Sequence, residues 1–151
     1  MAVMKNVEVF WASLDQPNRK FAEPHFYQLT ALPDEKTLAE FVSRGHRVKK
    51  IDYDGQGNMV DGLVFKQYEK RPDGSLNAPI RVVDINKNPF DMAVGNRSVC
   101  NIQYEERSID NKYGKFQWNL LKAVQVLEHK PHQSSTEDEF DVEGGGDDIE
   151  F

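Results

Sequence analysis

Apolar residues fall on near-alternate positions at the start of the chain, at Val3, Val7, Val9 and Trp11. Successive strand residues point to opposite faces, so this spacing predicts a half-buried β-strand. Turn chemistry at Asp15-Gln16-Pro17-Asn18 is expected to end it, and residues 26–31 read as a second strand. Residues 34–43 are the one helix: Leu38, Phe41 and Val42 recur at helical spacing, acids come early, and Gly45 offers a stop. Beyond it the pattern is extended, with strands over 47–53, 59–70, 79–85 and 94–107, separated by turns at 54–58, 71–75 and 86–89. Residues 116–128, FQWNLLKAVQVLE, suit an apolar helix by composition. As a strand they place Phe116, Trp118 and Leu120 on one face until Leu121 interrupts, which a bulge or change of face near 120–121 would repair. Val124, Val126 and the preceding Tyr-Gly turn favour the strand. Five to seven strands and one helix, without an internal repeat, fit a mainly β small barrel or sandwich.

The pattern stops at residue 133. Residues 134–151 carry eight acids (Glu137, Asp138, Glu139, Asp141, Glu143, Asp147, Asp148 and Glu150) and no Lys or Arg. Too few apolar groups and too much like charge predict a disordered acidic tail, 134–151, behind a folded body, 1–133. The net charge of −6, from 19 bases and 25 acids, therefore divides unevenly: the body keeps all 19 bases against 17 acids, a net of +2. A length of 151 residues suits one folded domain. No apolar run approaches the ~18 residues of a membrane helix, so no membrane association is expected. The start lacks the pattern of a signal peptide. The single Cys100 excludes an internal disulfide framework, and the expected setting is a reducing cytoplasm.

Catalytic chemistry finds little footing. His25, His46, His129, His132 and Cys100 sit in unrelated contexts, so Cys100 reads as a buried apolar residue and no catalytic residue is assigned. Residues 52–58, DYDGQGN, imitate a calcium loop, but Leu63 stands where the bidentate Glu belongs, so a Gly-rich hairpin turn is expected and no metal site. Phosphate-cradling motifs are absent, and no cofactor is expected. Asp52, Asp54 and Asp61 could serve a metal-dependent nuclease, yet no second-metal set accompanies them.

The body does interleave cations with rings. Single-stranded nucleic acid exposes phosphates and flat base faces together, so a groove for it needs bases along a path and aromatics on which nucleobases stack. Lys50, Tyr53, Lys66, Tyr68, Lys70, Arg81, Arg97, Tyr113, Lys115 and Lys122 are the candidate contacts, with alternation placing Lys66, Tyr68 and Lys70 on one face. The plain alternative is a solvated sheet face, with Trp11, Phe65, Phe116 and Trp118 as core. The tail closes on Asp147-Asp148-Ile149-Glu150-Phe151, behind a Gly144-Gly145-Gly146 hinge. Solubility alone needs no Ile149 or Phe151; a tail that docks uses them to fill a pocket while its carboxylates meet Lys and Arg.

A small β-rich body with scattered basic and aromatic residues, the Val94-Gly95-Asn96-Arg97-Ser98 segment, a Gly114 turn before the last strand and an ending DDIEF resembles the T7-type single-stranded DNA-binding proteins of bacteriophages. The ending is also similar to the Phe-ended tips of bacterial single-stranded DNA-binding proteins, though Glu150 stands where those carry Pro. The resemblance implies an OB-fold, a five-stranded Greek-key barrel with extra strands and one helix. It implies a non-catalytic protein that coats and protects single-stranded DNA in phage replication, recombination and repair, in the host cytoplasm. It further implies a tail that recruits the replicative DNA polymerase and the helicase/primase and competes with DNA for the groove, and a possible homodimer. The other function considered is a protein-binding adaptor or host-enzyme inhibitor acting through the tail.

Overall fold

The computed structural model describes residues 2–18, 24–112 and 114–130. Its elements, in chain order, are β1 (Ala2–Asn18), β2 (Phe26–Leu32), α1 (Glu35–Ser43), β3 (Lys49–Asp52), β4 (Met59–Tyr68), β5 (Arg81–Val83), β6 (Ser98–Asn111) and β7 (Gly114–Glu128). The antiparallel order β4-β2-β1-β6-β7 closes on itself, because β4 also pairs in parallel with β7 at Phe65↔Asn119 and Lys66↔Leu120. The result is a five-stranded barrel of the OB type, with β3 added to β4 and β5 added to β7. Closure removes the free edges that an open sheet of this size would expose. No helix among the described residues is long and apolar enough to cross a membrane.

Alternation decides which side chains fill the barrel. Leu63 and Phe65 of β4, Leu29 and Ala31 of β2, Val7 and Val9 of β1, and Cys100 and Ile102 of β6 point inward with Leu121, Val124 and Val126 of β7. In β7 the inward set changes from odd to even positions across a bulge at Lys122, since Tyr104 pairs with Leu121 and Gln103 with Ala123. The predicted repair of the Leu120-Leu121 break is thus real, and the segment is a strand. The helix is also as predicted, with its limits physically evident. Asp34 is the N-cap, its carboxylate accepting the Thr37 N–H at 2.8 Å, which holds that acid below its usual value. At the other end Gly45, at φ +100°, donates to Val42 O while His46 donates to Phe41 O, a Schellman closure sealed by the Phe41 and His46 rings at 4.8 Å. Phe41 is buried against the barrel beside Tyr104, burial that stabilises by about 1.5–3 kcal/mol.

Several limits differ from expectation, those of β1 and β6 most informatively. β1 does not end before Asp15 but runs to Asn18, which pairs with Phe26. Its pairing with β6 stops at Val9, so Pro17 lies where a missing N–H breaks no second ladder. β6 begins at Ser98 rather than near 94, because Arg97 takes φ +72° and turns the chain first.

β3 lies outside the barrel and builds a small second core. Ile51 is fully buried over Gly62, where an added Cβ would meet Ile51 Cδ1 at 2.5 Å and Ala31 O at 2.9 Å. Phe10, also buried, packs its ring 6.0 Å from Tyr53. Glycine at 62 is what allows β3 to sit this close.

Candidate nucleic-acid interface

Because β4 alternates, Val64, Lys66 and Tyr68 point out of the barrel wherever Leu63 and Phe65 point in. Register carries that outer face sideways. Phe26 of β2 stands opposite Tyr68 and Gln28 opposite Lys66, while Leu120 of β7 lies beside Lys66 with Trp118 two residues before it. β3 and β7 occupy the same edge of β4 in succession, and residues 46–49 bridge them, from His46↔Gln117 to Lys49↔Gly62. The angle between these elements is a groove of about 320 Å³.

Its lining has one sign of charge. Arg47, Lys49 and Lys66 contribute cations, Tyr68, Phe116 and Trp118 contribute rings, and among the described residues no Asp or Glu takes part. The cations lie on ring faces: the Arg47 guanidinium is 3.9 Å from the Phe116 centroid, and the Lys66 ammonium 4.6 Å from that of Phe26 and 5.9 Å from that of Trp118. Rings also meet rings, Phe26 with Tyr68 at 4.9 Å and Tyr68 edge-on to Trp118 at 6.0 Å. Burial pushes the Lys66 ammonium below its usual value. A half-buried cation between aromatic faces is poorly solvated before any ligand arrives, so an incoming phosphate meets little competing water.

The other wall is anchored from behind. Arg44 grips Glu106 of β6 through two bonds, Nε–Oε2 at 3.1 Å and Nη2–Oε1 at 2.8 Å, and His46 Nε2 reaches the same Oε2 at 2.9 Å. Burial works to raise the Glu106 pKa, but the bonds and positive charge of Arg44 and His46 outweigh it and hold the carboxyl below its usual value. This tie fixes the chain just before Arg47 and Lys49.

A larger hollow of about 630 Å³ lies along the far half of β1, lined by Leu14, Ile80, Val82, Phe90 and Met92 with Asp15 and Asp91. Among the described residues its lining offers two carboxylates and no Lys or Arg, which does not favour a polyanion.

Of the residues chosen from sequence, Lys66 and Tyr68 share the groove, and Lys70 lies past the end of β4. Tyr53 and Arg97 meet each other instead, the guanidinium 4.4 Å over the ring, and both bind Glu8. Lys50 pairs with Asp61, and Lys115 stands 4.0 Å from Asp110 in the β6–β7 hairpin. Arg81 is exposed on β5 and Lys122 sits in the β7 bulge; neither lines the groove. Tyr113 and the tail residues Asp147, Asp148, Ile149, Glu150 and Phe151 fall outside the described residues. Trp118 and Phe116 are half-buried on the outer face rather than in the core, whereas Phe65 and Tyr104 are core. Phe26, Arg47 and Lys49 complete the site. Lys49 was visible beside Lys50 in sequence, but Phe26 has no neighbouring cation along the chain and is recruited only through the β2–β4 register.

No family model and no curated protein sequence matches the chain. Solved structures do. The single-stranded DNA-binding protein of bacteriophage Enc34, in complex with single-stranded DNA, aligns over 87% of this chain and 88% of its own, at 13% identity and a TM-score of 0.61. Its C-terminally truncated form aligns over 87% of each chain at 14% identity, also with a TM-score of 0.61. Gp2.5, the single-stranded DNA-binding protein encoded by bacteriophage T7, aligns over 99% of this chain and 96% of its own, at 17% identity and a TM-score of 0.60. The barrel is therefore one that phage single-stranded DNA-binding proteins use.

Proposed function

We propose that this protein binds single-stranded DNA without catalysing a reaction, coating it during phage replication, recombination and repair in the host cytoplasm. The observation that carries the proposal is the groove across β4 and β7, which combines Arg47, Lys49 and Lys66 with Tyr68, Phe116 and Trp118 and, among the described residues, holds no acid. Cations follow the phosphates and rings take the bases, each stacked base contributing about 1–3 kcal/mol. The shared barrel supports this, since one of its users is a complex with single-stranded DNA.

The tail belongs to the same proposal. Residues 134–151 hold eight acids on a chain whose first 133 residues carry a net of +2. Tethered to the groove they act as an anionic competitor at high local concentration, and DNA that displaces them frees the tip 147–151 for polymerase and helicase/primase. A tail placed in a second copy's groove supports a homodimer.

Fluorescent oligo-dT titrated into the full chain and into a version ending at Gln133 tests both parts. Binding is expected to weaken with salt and to tighten without the tail. Absence of binding to either at low salt would sink the single-strand proposal and leave the adaptor function, whereas equal affinity of the two would remove only the competing tail.

A further inference from the structure

Beyond the groove, a second ring-and-cation cluster lies on the outer surface around Trp11. Trp11 adopts φ +54°, a left-handed conformation that a bulky side chain rarely takes. It does so because β1 bulges there: Phe10 pairs with Thr30 and Ser13 with Gln28, so Trp11 and Ala12 together face Leu29. Glycine is the ordinary occupant of a left-handed bulge position. The same strand shows the easier solution at an earlier bulge, where Asn6 takes φ +57°, a conformation asparagine tolerates.

The strained conformation is held from the turn just before β6. Asn96 Oδ1 accepts the Trp11 N–H at 2.8 Å, and the Arg97 N–H donates to Val9 O at 2.7 Å. With its backbone fixed in this way the residue is 42% exposed, its ring meeting buried Phe10 edge-on at 6.4 Å between centroids. The Lys49 ammonium lies 5.4 Å from its centroid, and Lys49 is also a wall of the groove. The Tyr53 ring carries the Arg97 guanidinium, with Glu8 accepting the Tyr53 hydroxyl at 2.9 Å and fixing that pair. Buried Phe10 meets both rings, Trp11 at 6.4 Å and Tyr53 at 6.0 Å, so two ring-and-cation pairs flank it.

We infer that Trp11 is a second nucleobase-stacking subsite, reached by a strand that leaves the groove over Lys49. This rests on the single-strand proposal and extends it. A short oligonucleotide fills the groove at Trp118 and Tyr68, and only a longer one also covers Trp11. The continuity through Lys49, a cation shared by the groove and the Trp11 ring, favours single-stranded nucleic acid as the occupant.

Trp11 and Trp118 are the only two tryptophans, so each can be watched alone in the full chain. In Trp118→Phe the emission of Trp11, and in Trp11→Phe that of Trp118, would be followed through oligo-dT lengths from about 4 to about 16 nucleotides, the range of one OB-fold. Quenching of Trp118 is expected at the shortest lengths and of Trp11 only at longer ones. In Trp11→Gly the bulge keeps its conformation without the ring, so the urea midpoint should hold or rise. Affinity for the long oligonucleotide should fall about five- to a hundredfold, the loss of one stacked base, with the short one unaffected. Trp11→Tyr should restore most of it. Trp11 emission indifferent to long oligo-dT that quenches Trp118 would overturn the subsite alone. A Trp11→Gly protein less stable, and equally weakened at every length, would make the indole structural. No quenching of either tryptophan and no binding would remove the subsite together with the proposal beneath it.

Discussion

Lys66 shows how one residue position sets both the stability and the chemistry of the groove. Its ammonium is desolvated and its pKa lies below the usual 10.5, so the unfolded chain holds that proton to higher pH than the native one. Stability should therefore rise as pH climbs from the depressed value to the ordinary one, and be lower throughout the range beneath. Ligand affinity runs the opposite way, because only the charged form attracts phosphate. Replacing Lys66 by Met is expected to leave urea stability unchanged or raised. DNA affinity should fall, with the salt slope reduced by about 0.7, the share of one phosphate contact on a single strand. Binding by the parent protein should also weaken at alkaline pH below the ordinary lysine range, an inflection the Met variant lacks. A variant that loses stability and keeps its salt slope would place Lys66 outside the phosphate path. Residue type alone singled out Lys66 and Tyr68, because alternation within one strand is local. Phe26, Phe116 and Trp118 could not be separated from core by composition, since apolar rings serve either face equally well.

At the scale of elements, the groove depends on a short segment that is barely a strand. Residues 44–49 leave the Schellman end of α1 and cross from β7 to β4, and Glu106 pins their start through Arg44 and His46. Glu106→Gln keeps the shape and removes the charge. It is expected to cost about 1 kcal/mol, the lower end for bonds to a charged group that remains partly solvated, and to weaken oligonucleotide binding by loosening Arg47 and Lys49. The sign of the pH effect follows from the lowered carboxyl: the parent's increment is full above the unfolded value near 4.5 and disappears as pH falls through the folded one. Urea midpoints between about pH 3 and about pH 7 should thus converge for parent and variant at the acid end. Curves that stay parallel would show that the tie contributes nothing to the fold. The helix and its Gly45 stop were readable in advance because they are local, whereas Asp34, read as the first helical residue, is the cap. The extent of β1 was not readable, since Asp15 to Asn18 has turn composition and only the partner strand β2 holds it extended.

For the whole molecule, barrel closure is the property that everything else assumes. Cys100 reports it, because its backbone lies between β1 and β7 in the ladder and its side chain is fully buried, where burial pushes the thiol up to about 12. At neutral pH the thiol should be unreactive toward disulfide reagents in the native protein. Labelling should appear only in urea, along the same curve as unfolding followed by tryptophan emission. Rapid labelling without denaturant would mean that the barrel opens locally along β6.

The sequence by itself determined the β-rich class, the helix with its Gly45 stop, the buried cysteine, and the gathering of eight acids within residues 134–151. Each of these follows from short-range periodicity or from composition, which the chain carries wherever it folds. Only the tertiary structure decided that β4 and β7 pair in parallel, and that pairing brings Lys66 beside Trp118 and turns scattered cations and rings into one groove. It likewise sent Lys50 to Asp61 and joined Tyr53 to Arg97, while placing Trp11 in a left-handed bulge at the groove's outer end. Such pairings join residues far apart in the chain, so they depend on strand register and closure, which no local pattern specifies.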